Sequence, residues 1–421
     1  MLWGVFFWRA SGMREPIPPV DTRIDVLDRL RGFALLGIFL MNIEYFGRPL
    51  QDYVLGVPAG LQGLDAAAAW FVYTFVQGKF WVLFSLLFGM GFAVMADRAR
   101  DAGRPFLGTY LRRTALLALF GLLHIALLWD GDILLSYAVT ALVLMAFLHV
   151  RGHALWLSGA ALYLGASALA ALSGLVLQLL PPSQLAPIAA QMDEATAQAQ
   201  AAVEVYAHGS FVAVAQQRLE TVFAYMVPSA WPMQIPSILG VFLIGAWLVR
   251  SGRMVDVVAH RGFFTRLLIV ALPLAALGVG ASLAVGTQFP AGEDFPRAML
   301  ATGLMMLGNL PASLAIVSLF ALLAGSSVGA RMTAVLAPAG RMALTNYLTQ
   351  SLICSLVFYG YGLGQYGEWG RASQVGFVVL VFVAQVLASR WWMARFEFGP
   401  LEGLWRAGTH LRAPRWRTAG H

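Results

Sequence analysis

The chain is organised around Arg23–Phe46, which reads RIDVLDRLRGFALLGIFLMNIEYF. Charges of both signs occupy its first nine residues, and the apolar run that follows reaches the polar residues Asn42 and Glu44. Arg31 and Asn42 are eleven residues apart. An α-helix places two such residues on one face, about 16 Å apart. A helix that only anchors a chain needs neither polar end, so we predict that this one connects a basic surface to a polar site.

Composition is that of a polytopic membrane protein. The 421 residues are 59% hydrophobic and only 12% charged, with a mean hydropathy of +0.72, and these values are typical of chains with many membrane spans. Apolar stretches long enough to span a bilayer recur about ten times. They are residues 32–48, 75–96, 114–129, 132–149, 154–180, 233–249, 265–286, 298–324, 344–364 and 374–393. We therefore predict an all-α protein with about ten transmembrane helices.

Two of these spans carry irregularities. The second span continues an apolar run that begins at Ala66, and the two together cover about thirty residues. This length is too great for one perpendicular span, so we predict a tilted or interfacial helix from Ala66 that breaks near Gly78. The eighth contains Asn309 and Pro311 near its middle, which predicts a kink or a local break in hydrogen bonding.

The arginines predict the topology. They precede the first span and follow every even-numbered one, whereas the alternate loops are acidic or nearly neutral. By the positive-inside rule both termini are predicted to be cytoplasmic. We divide the chain into an N-terminal membrane half (1–180), an outer loop with one or two helices (181–231), and a C-terminal membrane half (232–421).

Charge and cysteine content limit the partners. The net charge of +7 follows the loop pattern rather than a continuous stripe, which argues against a nucleic-acid partner. Cys354 is the only cysteine and lies in an apolar span, so we expect neither disulfides nor a Cys-based metal site. The expected partners are the lipid bilayer, a small-molecule or glycan acceptor and, if the chain self-associates, a second copy.

Polar residues inside spans are costly, so they are the candidate site residues. His124 lies just before the turn that contains Asp130 and Asp132. A carboxylate can orient an imidazole and stabilise its charged form, which favours a catalytic base. Two other interpretations stay open: an aspartate that caps the next helix, and a structural histidine.

The other candidates have structural alternatives as well. Lys79 is the only lysine and is either functional or a snorkelling anchor. Asn346 and Gln350 are four residues apart on one helix face, where they either line a cavity or bond helices together. Glu402 is predicted to pair with Arg406 at the i, i+4 spacing.

Four blocks of the sequence resemble the YeiB-like family of bacterial membrane proteins of unassigned function. The blocks are RIDVLDRLRGFALLGIFLMNI, then VQGKFWVLFSLLFGMGF with GLLHIALLWDGDILLSYA, then GRMALTNYLTQSLICSLVFYGYGLG, and RFEFGPLEGLWR. That family in turn resembles transmembrane acyltransferases, including heparan-α-glucosaminide N-acetyltransferase. In the bacterial glycan branch of that group, an arginine corresponding to Arg31 is followed by a histidine on the far side. Here Asn42 occupies that position, as asparagine does in the heparan enzyme.

The resemblance implies transfer of an acyl group from cytosolic acetyl-CoA, or another acyl-CoA, to an envelope or extracytoplasmic acceptor. His124 would be the base, positioned by Asp130 or Asp132, with Asn42 or Lys79 stabilising the oxyanion and Glu44 nearby. The candidate cofactor-binding residues are Arg29, Arg31, Arg112, Arg113, Asn346 and Gln350. The positive-inside rule explains the same arginines without a ligand.

Two other functions remain open at this stage. Glu44, Lys79 and His124 could form a proton relay in a secondary transporter or proton-coupled permease, with Pro311 marking a broken helix. The third possibility is a non-catalytic partner or sensor in the envelope.

Overall fold

The computed structural model describes residues 24–48, 56–58, 60–286, 288–289, 294–413 and 416–417. This part of the chain is helical except for short β contacts, in which Val57–Pro58 pairs in parallel with Gln288–Phe289 and Phe396 bridges Arg417. The helices are α1 Asp25–Phe46, α2 Gly63–Phe71, α3 Lys79–Asp101, α4 Leu107–Leu127, α5 Leu134–Leu144, α6 His153–Leu179, α7 Pro182–His208, α8 Phe211–Glu220, α9 Val227–Ser229, α10 Trp231–Arg250, α11 Arg261–Val285, α12 Phe295–Ala324, α13 Ser327–Ala334, α14 Ala337–Arg341, α15 Ala343–Phe358, α16 Arg371–Met393 and α17 Pro400–His410.

The all-α polytopic class is confirmed. Each of the ten predicted spans contains a helix. Within the described ranges, seven helical segments are long and apolar enough to cross a membrane, and Leu134–Phe147 and Ala343–Phe358 are shorter apolar helices. The charged first turns of α1 leave it outside that set of seven, so the number of spans and their orientation stay predictions.

The helix predicted to organise the chain, α1, is a core helix of the bundle. It packs against α3, α14, α15 and α16, and Leu30, Ala34 and Leu35 are fully buried. Contact with α14 requires glycine, because a Cβ on Gly340 would lie 1.8 Å from the Asp28 carbonyl oxygen. Close backbone approach of this kind explains how a short α14 can pack directly against α1.

The predicted break near Gly78 is confirmed. The chain passes from α2 through a π-helical turn at Val72–Val76 and starts again at Lys79. Gly78 has a φ of +79°, and a Cβ there would lie 1.9 Å from the Asn309 amide nitrogen. Both the left-handed backbone and the lack of space require glycine at this position.

Two other sequence predictions concern residues 181–231 and α12. Residues 181–231, predicted to contain one or two helices, contain α7 with 27 residues, α8 with 10 residues and the short α9. Helix α12 continues from Phe295 to Ala324 through Asn309 and Pro311. Because proline has no N–H, the helix still lacks one hydrogen-bond donor at Pro311, as the predicted local break in hydrogen bonding requires.

Helix α17 is held against the start of α15 by Glu402. Its carboxylate accepts hydrogen bonds from the Thr345 backbone N–H at 3.0 Å and the Thr345 hydroxyl at 2.6 Å. The predicted pair with Arg406 is therefore wrong: the Arg406 guanidinium lies 4.8 Å from the Phe398 ring centroid instead. Glu402 accepts one of the N–H groups that have no partner at the start of a helix. This hydrogen bond contributes more to stability than a surface ion pair with Arg406 would.

Replacing Glu402 with alanine is expected to lower the free energy of unfolding by about 1–3 kcal/mol, because a buried N–H loses its acceptor. Burial raises the pKa of Glu402, and the hydrogen bonds from Thr345 lower it. Glu402→Gln keeps an acceptor and a donor and removes the charge, so its melting temperature at neutral pH should stay at or above that of the wild type. Equal losses in both variants would contradict the role of these hydrogen bonds.

Candidate functional site

A chain of three buried polar side chains joins α4, the turn before α5, and α15. His124 Nδ1 lies 2.8 Å from Asp132 Oδ1, and His124 Nε2 lies 2.8 Å from Ser351 Oγ. We call Asp132, His124 and Ser351 the His124 triad. The side chains of His124 and Asp132 are almost completely inaccessible, and Ser351 is 1% exposed. A carboxylate, an imidazole and a hydroxyl, hydrogen-bonded in this order, are the groups that form an activated nucleophile.

Asp132 is fixed through both of its oxygens. Oδ2 accepts the Leu135 backbone N–H at 2.7 Å, so Asp132 caps the first turn of α5 while Oδ1 bonds His124. Both interpretations of this aspartate therefore hold. Because an ionised carboxylate only accepts hydrogen bonds, the proton of a neutral imidazole belongs on Nδ1. Nε2 is then free to accept the Ser351 hydroxyl proton.

An apolar cavity lies close to the His124 triad, although none of the three triad residues lines it. Its volume is about 120 Å³, which approaches that of cavities able to hold a molecule the size of benzene. Tyr347 lines the cavity, and its ring centroid lies 5.1 Å from that of His124. Trp405 of α17 lines it as well. Other lining residues are Ile38, Leu87, Leu117 and Tyr137.

Arginines surround the Trp405 end of this cavity. The Arg113 guanidinium lies 3.6 Å from the Trp405 ring centroid, and the Trp405 indole N–H donates to the Arg113 carbonyl at 2.9 Å. Arg113 lies within electrostatic range of Arg31 and Arg406. Burial lowers the pKa of His410, and several nearby arginines lower it further. The basic cluster consists of Arg31, Arg104, Arg112, Arg113 and Arg406.

The four arginines predicted to bind a cofactor lie in two different places. Arg31, Arg112 and Arg113 belong to the basic cluster; Arg112 donates to the Thr409 carbonyl at 2.8 Å and so holds the end of α17. Arg29 faces α13 instead, where it donates to the Ala330 carbonyl at 3.1 Å and lies 3.6 Å from Asp25.

Asn346 and Gln350 form a structural network rather than a cofactor site. The Asn346 amide donates to the Ala339 carbonyl at 3.1 Å and to Ser389 Oγ at 3.0 Å. Gln350 donates to Gln385 Oε1 at 2.8 Å, and Gln385 donates back to the Asn346 carbonyl at 3.0 Å. These bonds join α15 to α16 and use the amides that a cofactor would need, so the cofactor assignment is corrected to helix–helix bonding.

Glu44 and Lys79 lie in clusters of their own. Glu44 forms ion pairs with Arg48 and Arg371. Lys79 is 2% exposed, and its Nζ donates to the Tyr73 carbonyl at 3.2 Å and to Met305 Sδ at 3.1 Å. Its burial rules out the snorkelling interpretation, since a snorkelling ammonium group reaches water.

Asn42 and Asp130 flank the His124 triad without belonging to it. Asn42 is buried on α1, one helical turn beyond the cavity residue Ile38 and therefore on the same face. Asp130 is 4% exposed and accepts the Tyr206 hydroxyl at 2.6 Å. The two aspartates of the turn thus point to different partners, Asp132 to His124 and Asp130 to α7.

Four residues of these sites were not predicted from the sequence: Ser351, Tyr347, Trp405 and Arg218. Ser351 and Tyr347 are four residues apart, so they share a face of α15 beside the more conspicuous amides Asn346 and Gln350. That spacing was the available signal. Arg218 stood in an amphipathic outer segment where an arginine is ordinary, and nothing in the sequence marked it as buried.

Fold and site together define a multi-pass helical membrane protein with a buried histidine-centred triad. A protein-family model described as "Protein of unknown function (DUF418)" matches residues 248–412. "Uncharacterized protein YxaH" of Bacillus subtilis (strain 168) is 33% identical over 412 residues, covering 93% of this chain and 95% of that protein. "Uncharacterized protein YeiB" of Escherichia coli (strain K12) is 32% identical over 401 residues, covering 92% and 96%.

The chain therefore belongs to the family of YxaH and YeiB, a family of unknown function, and the predicted YeiB-like membership is confirmed. An uncharacterized 39.9 kDa protein of Bacillus acidopullulyticus is 28% identical over 400 residues, covering 94% of this chain and 96% of its own. No solved structure matches the chain.

Proposed function

We propose that this protein is a membrane acyltransferase that moves an acyl group from a cytosolic acyl-CoA to an acceptor on the opposite side of the membrane. One observation carries the proposal: a buried serine, histidine and aspartate are hydrogen-bonded in series beside an apolar cavity that ends at a basic cluster. Nucleophile, base and orienting carboxylate are the groups that acyl transfer requires.

The first half of the proposed reaction loads the enzyme. His124 Nε2 takes the Ser351 hydroxyl proton as Oγ attacks the thioester carbonyl. The carbon–sulfur bond then breaks, and the CoA thiolate receives that proton from His124. The products are an acyl ester on Ser351 and free CoA thiol. Asn42 would donate to the oxyanion; the support for this role is that Asn42 follows Ile38 on the cavity-facing side of α1.

The second half releases the acyl group to the acceptor. His124 takes a proton from an acceptor hydroxyl or amine, whose oxygen or nitrogen attacks the ester carbonyl. The bond to Ser351 Oγ breaks, and His124 returns the proton to Ser351. The enzyme regains its starting state, and the proton balance of the two half-reactions is zero.

The basic cluster gives this reaction its direction. Coenzyme A carries several phosphate charges, and guanidinium groups bind phosphate oxygens in pairs. An acyl-CoA held at the arginines would place only its thioester and a short acyl group in the apolar cavity beyond Trp405, since the cavity holds about 120 Å³. Transport has less support, because Glu44, Lys79 and His124 lie in separate clusters and α12 is unbroken at Pro311.

Binding of acetyl-CoA to purified protein tests the cofactor assignment. We expect saturable binding by isothermal titration calorimetry, and a Kd at least about tenfold higher in Arg113→Gln, which loses a charge-assisted contact to phosphate. Arg29→Gln is the matched control, because Arg29 faces α13, and its Kd should stay within about twofold of wild type. Absence of saturable binding, or equal weakening in both variants, would contradict the proposal.

A further inference from the structure

A fully buried arginine lies in the outer segment of the chain. Arg218 of α8 is 0% exposed, and within the described part of the chain its Nε, Nη1 and Nη2 atoms have no hydrogen-bond partner. Its guanidinium carbon lies 5.6 Å from the Tyr359 ring centroid and 5.8 Å from that of Phe211. A buried charge without hydrogen bonds is among the most costly features a fold can contain. The guanidinium group therefore needs a partner that the described residues do not provide.

Asp130 does not neutralise Arg218 by a direct pair. The two side chains are within electrostatic range, but the Asp130 carboxylate accepts the Tyr206 hydroxyl at 2.6 Å. Burial raises the pKa of Asp130, while this hydrogen bond lowers it. The carboxylate is thus satisfied by other donors, and the forked donor face of Arg218 stays available.

Aromatic rings form the walls around Arg218. Tyr206 stacks on Tyr359 with ring centroids 5.2 Å apart and on Tyr366 at 5.5 Å. The Tyr361 ring lies 5.2 Å from that of Phe211. The Tyr361 hydroxyl is buried and, among described residues, has no hydrogen-bond partner. Stacked rings and the free Tyr361 hydroxyl, near a guanidinium, suit a ring-shaped ligand that carries an anionic group.

The Arg218 site is close to the His124 triad. Asp130, which faces Tyr206 and Arg218, and Asp132, which bonds His124, are two residues apart in one turn. Phe46 stacks on Trp129 with centroids 4.5 Å apart, and Trp129 in turn lies 6.3 Å from His124. The turn that carries both aspartates and the buried Trp129 therefore connect the Arg218 site to the His124 triad.

We propose that Arg218 binds the carboxylate of an acidic sugar-like molecule and that this molecule is the acyl acceptor. The second clause rests on the proposed function; the binding site itself does not. A carboxylate fits better than a phosphate, because Asp130 already places a negative charge near the guanidinium, so the ligand with the smaller negative charge meets less repulsion. Phe211 is 42% exposed and covers Arg218, so the ligand would enter by displacing that ring.

Calorimetry on the full-length protein tests the site with three probes: sodium D-glucuronate, D-glucose and D-glucose 6-phosphate. We expect glucuronate to bind at least tenfold more tightly than glucose, and Arg218→Gln to abolish this difference. Arg253→Gln is the matched control, because Arg253 also lies over aromatic rings, 4.5 Å from Trp247 and from Phe263. It should leave glucuronate binding within twofold. Equal affinity for glucuronate and glucose would overturn the site, and tighter binding of the phosphate would overturn the choice of carboxylate.

A second measurement separates a ligand site from a structural role. Arg218→Met removes an unpaired buried charge, so the ligand-free variant should melt at or above the wild-type temperature. A lower melting temperature would mean that Arg218 holds the fold together, and would overturn the proposal.

Acetyl-CoA binding in Arg218→Gln keeps the two proposals distinguishable, because it should equal that of the wild type. Absence of glucuronate binding by a wild-type protein that still binds acetyl-CoA would overturn the Arg218 site and its acceptor role, and would leave the acyltransferase standing. The reverse result would overturn the acyltransferase and leave the Arg218 site standing.

Discussion

Replacing His124 with alanine is expected to lower the rate of acyl transfer by about 10²–10⁴-fold, the usual contribution of a positioned general base. The loss should appear in kcat, because His124 contacts Ser351 and not the basic cluster that would bind the cofactor. The measurement is transfer from acetyl-CoA to an acceptor by the purified protein in detergent. Acetyl-CoA binding by calorimetry should stay within twofold of wild type.

Two variants make this result specific. His153→Ala removes an exposed histidine that bonds only Trp156 among described residues, and should keep the wild-type rate. Asp132→Asn keeps an oxygen for the Leu135 N–H but loses the acceptor for His124 Nδ1, so the rate should fall about a hundredfold or more while the melting temperature changes little. A His124→Ala enzyme with wild-type activity would refute the catalytic role.

The helices could be predicted because their signal is long and local. A span needs about twenty apolar residues, and each predicted span contains a helix in the structure. The break at Gly78 could be predicted for a similar reason, since the whole apolar run of residues 66–96 exceeds the bilayer thickness. The continuity of α12 could not, because neighbouring helices can keep a proline-containing helix intact within a bundle.

The candidate site was only half predictable. His124 and Asp132 are eight residues apart on either side of one turn, so local geometry alone brings them together. Ser351 lies 227 residues from His124, so only the packing of distant helices brings the two side chains together. Serines in spans usually bond the carbonyl four residues earlier, as Ser167 does with Tyr163 at 2.8 Å. Sequence alone gives no reason to select Ser351 among them.

Intramembrane polarity marks residues that need partners, and it does not say which partners they have. Asn346 and Gln350 satisfy each other through Gln385 and Ser389, whereas Arg218 finds no hydrogen bond among the described residues. Their sequence positions do not show this difference, because it is decided by the packing of distant helices.

Ser351 is expected to carry the acyl group between the two half-reactions. Incubating the protein with radiolabelled acetyl-CoA without acceptor should leave covalent label on the wild type and none on Ser351→Ala. The reason is geometric: Ser351 Oγ is the hydroxyl that lies 2.8 Å from His124 Nε2, so it is the one that His124 can deprotonate. Mass spectrometry of digested protein should place the label on the peptide that contains Ser351, and hydroxylamine should remove it as it does an ester.

Ser355 supplies the matched control for this experiment. It lies one turn further along α15, is equally buried and donates to the Leu352 carbonyl at 3.0 Å, so Ser355→Ala should keep full labelling. His124→Ala should label far more slowly than wild type, because Ser351 then lacks its base. Wild-type transfer by Ser351→Ala, with transfer still lost in His124→Ala, would show that the acyl group passes directly to an acceptor activated by His124. The covalent step would then be wrong, while His124 would keep its role as the base.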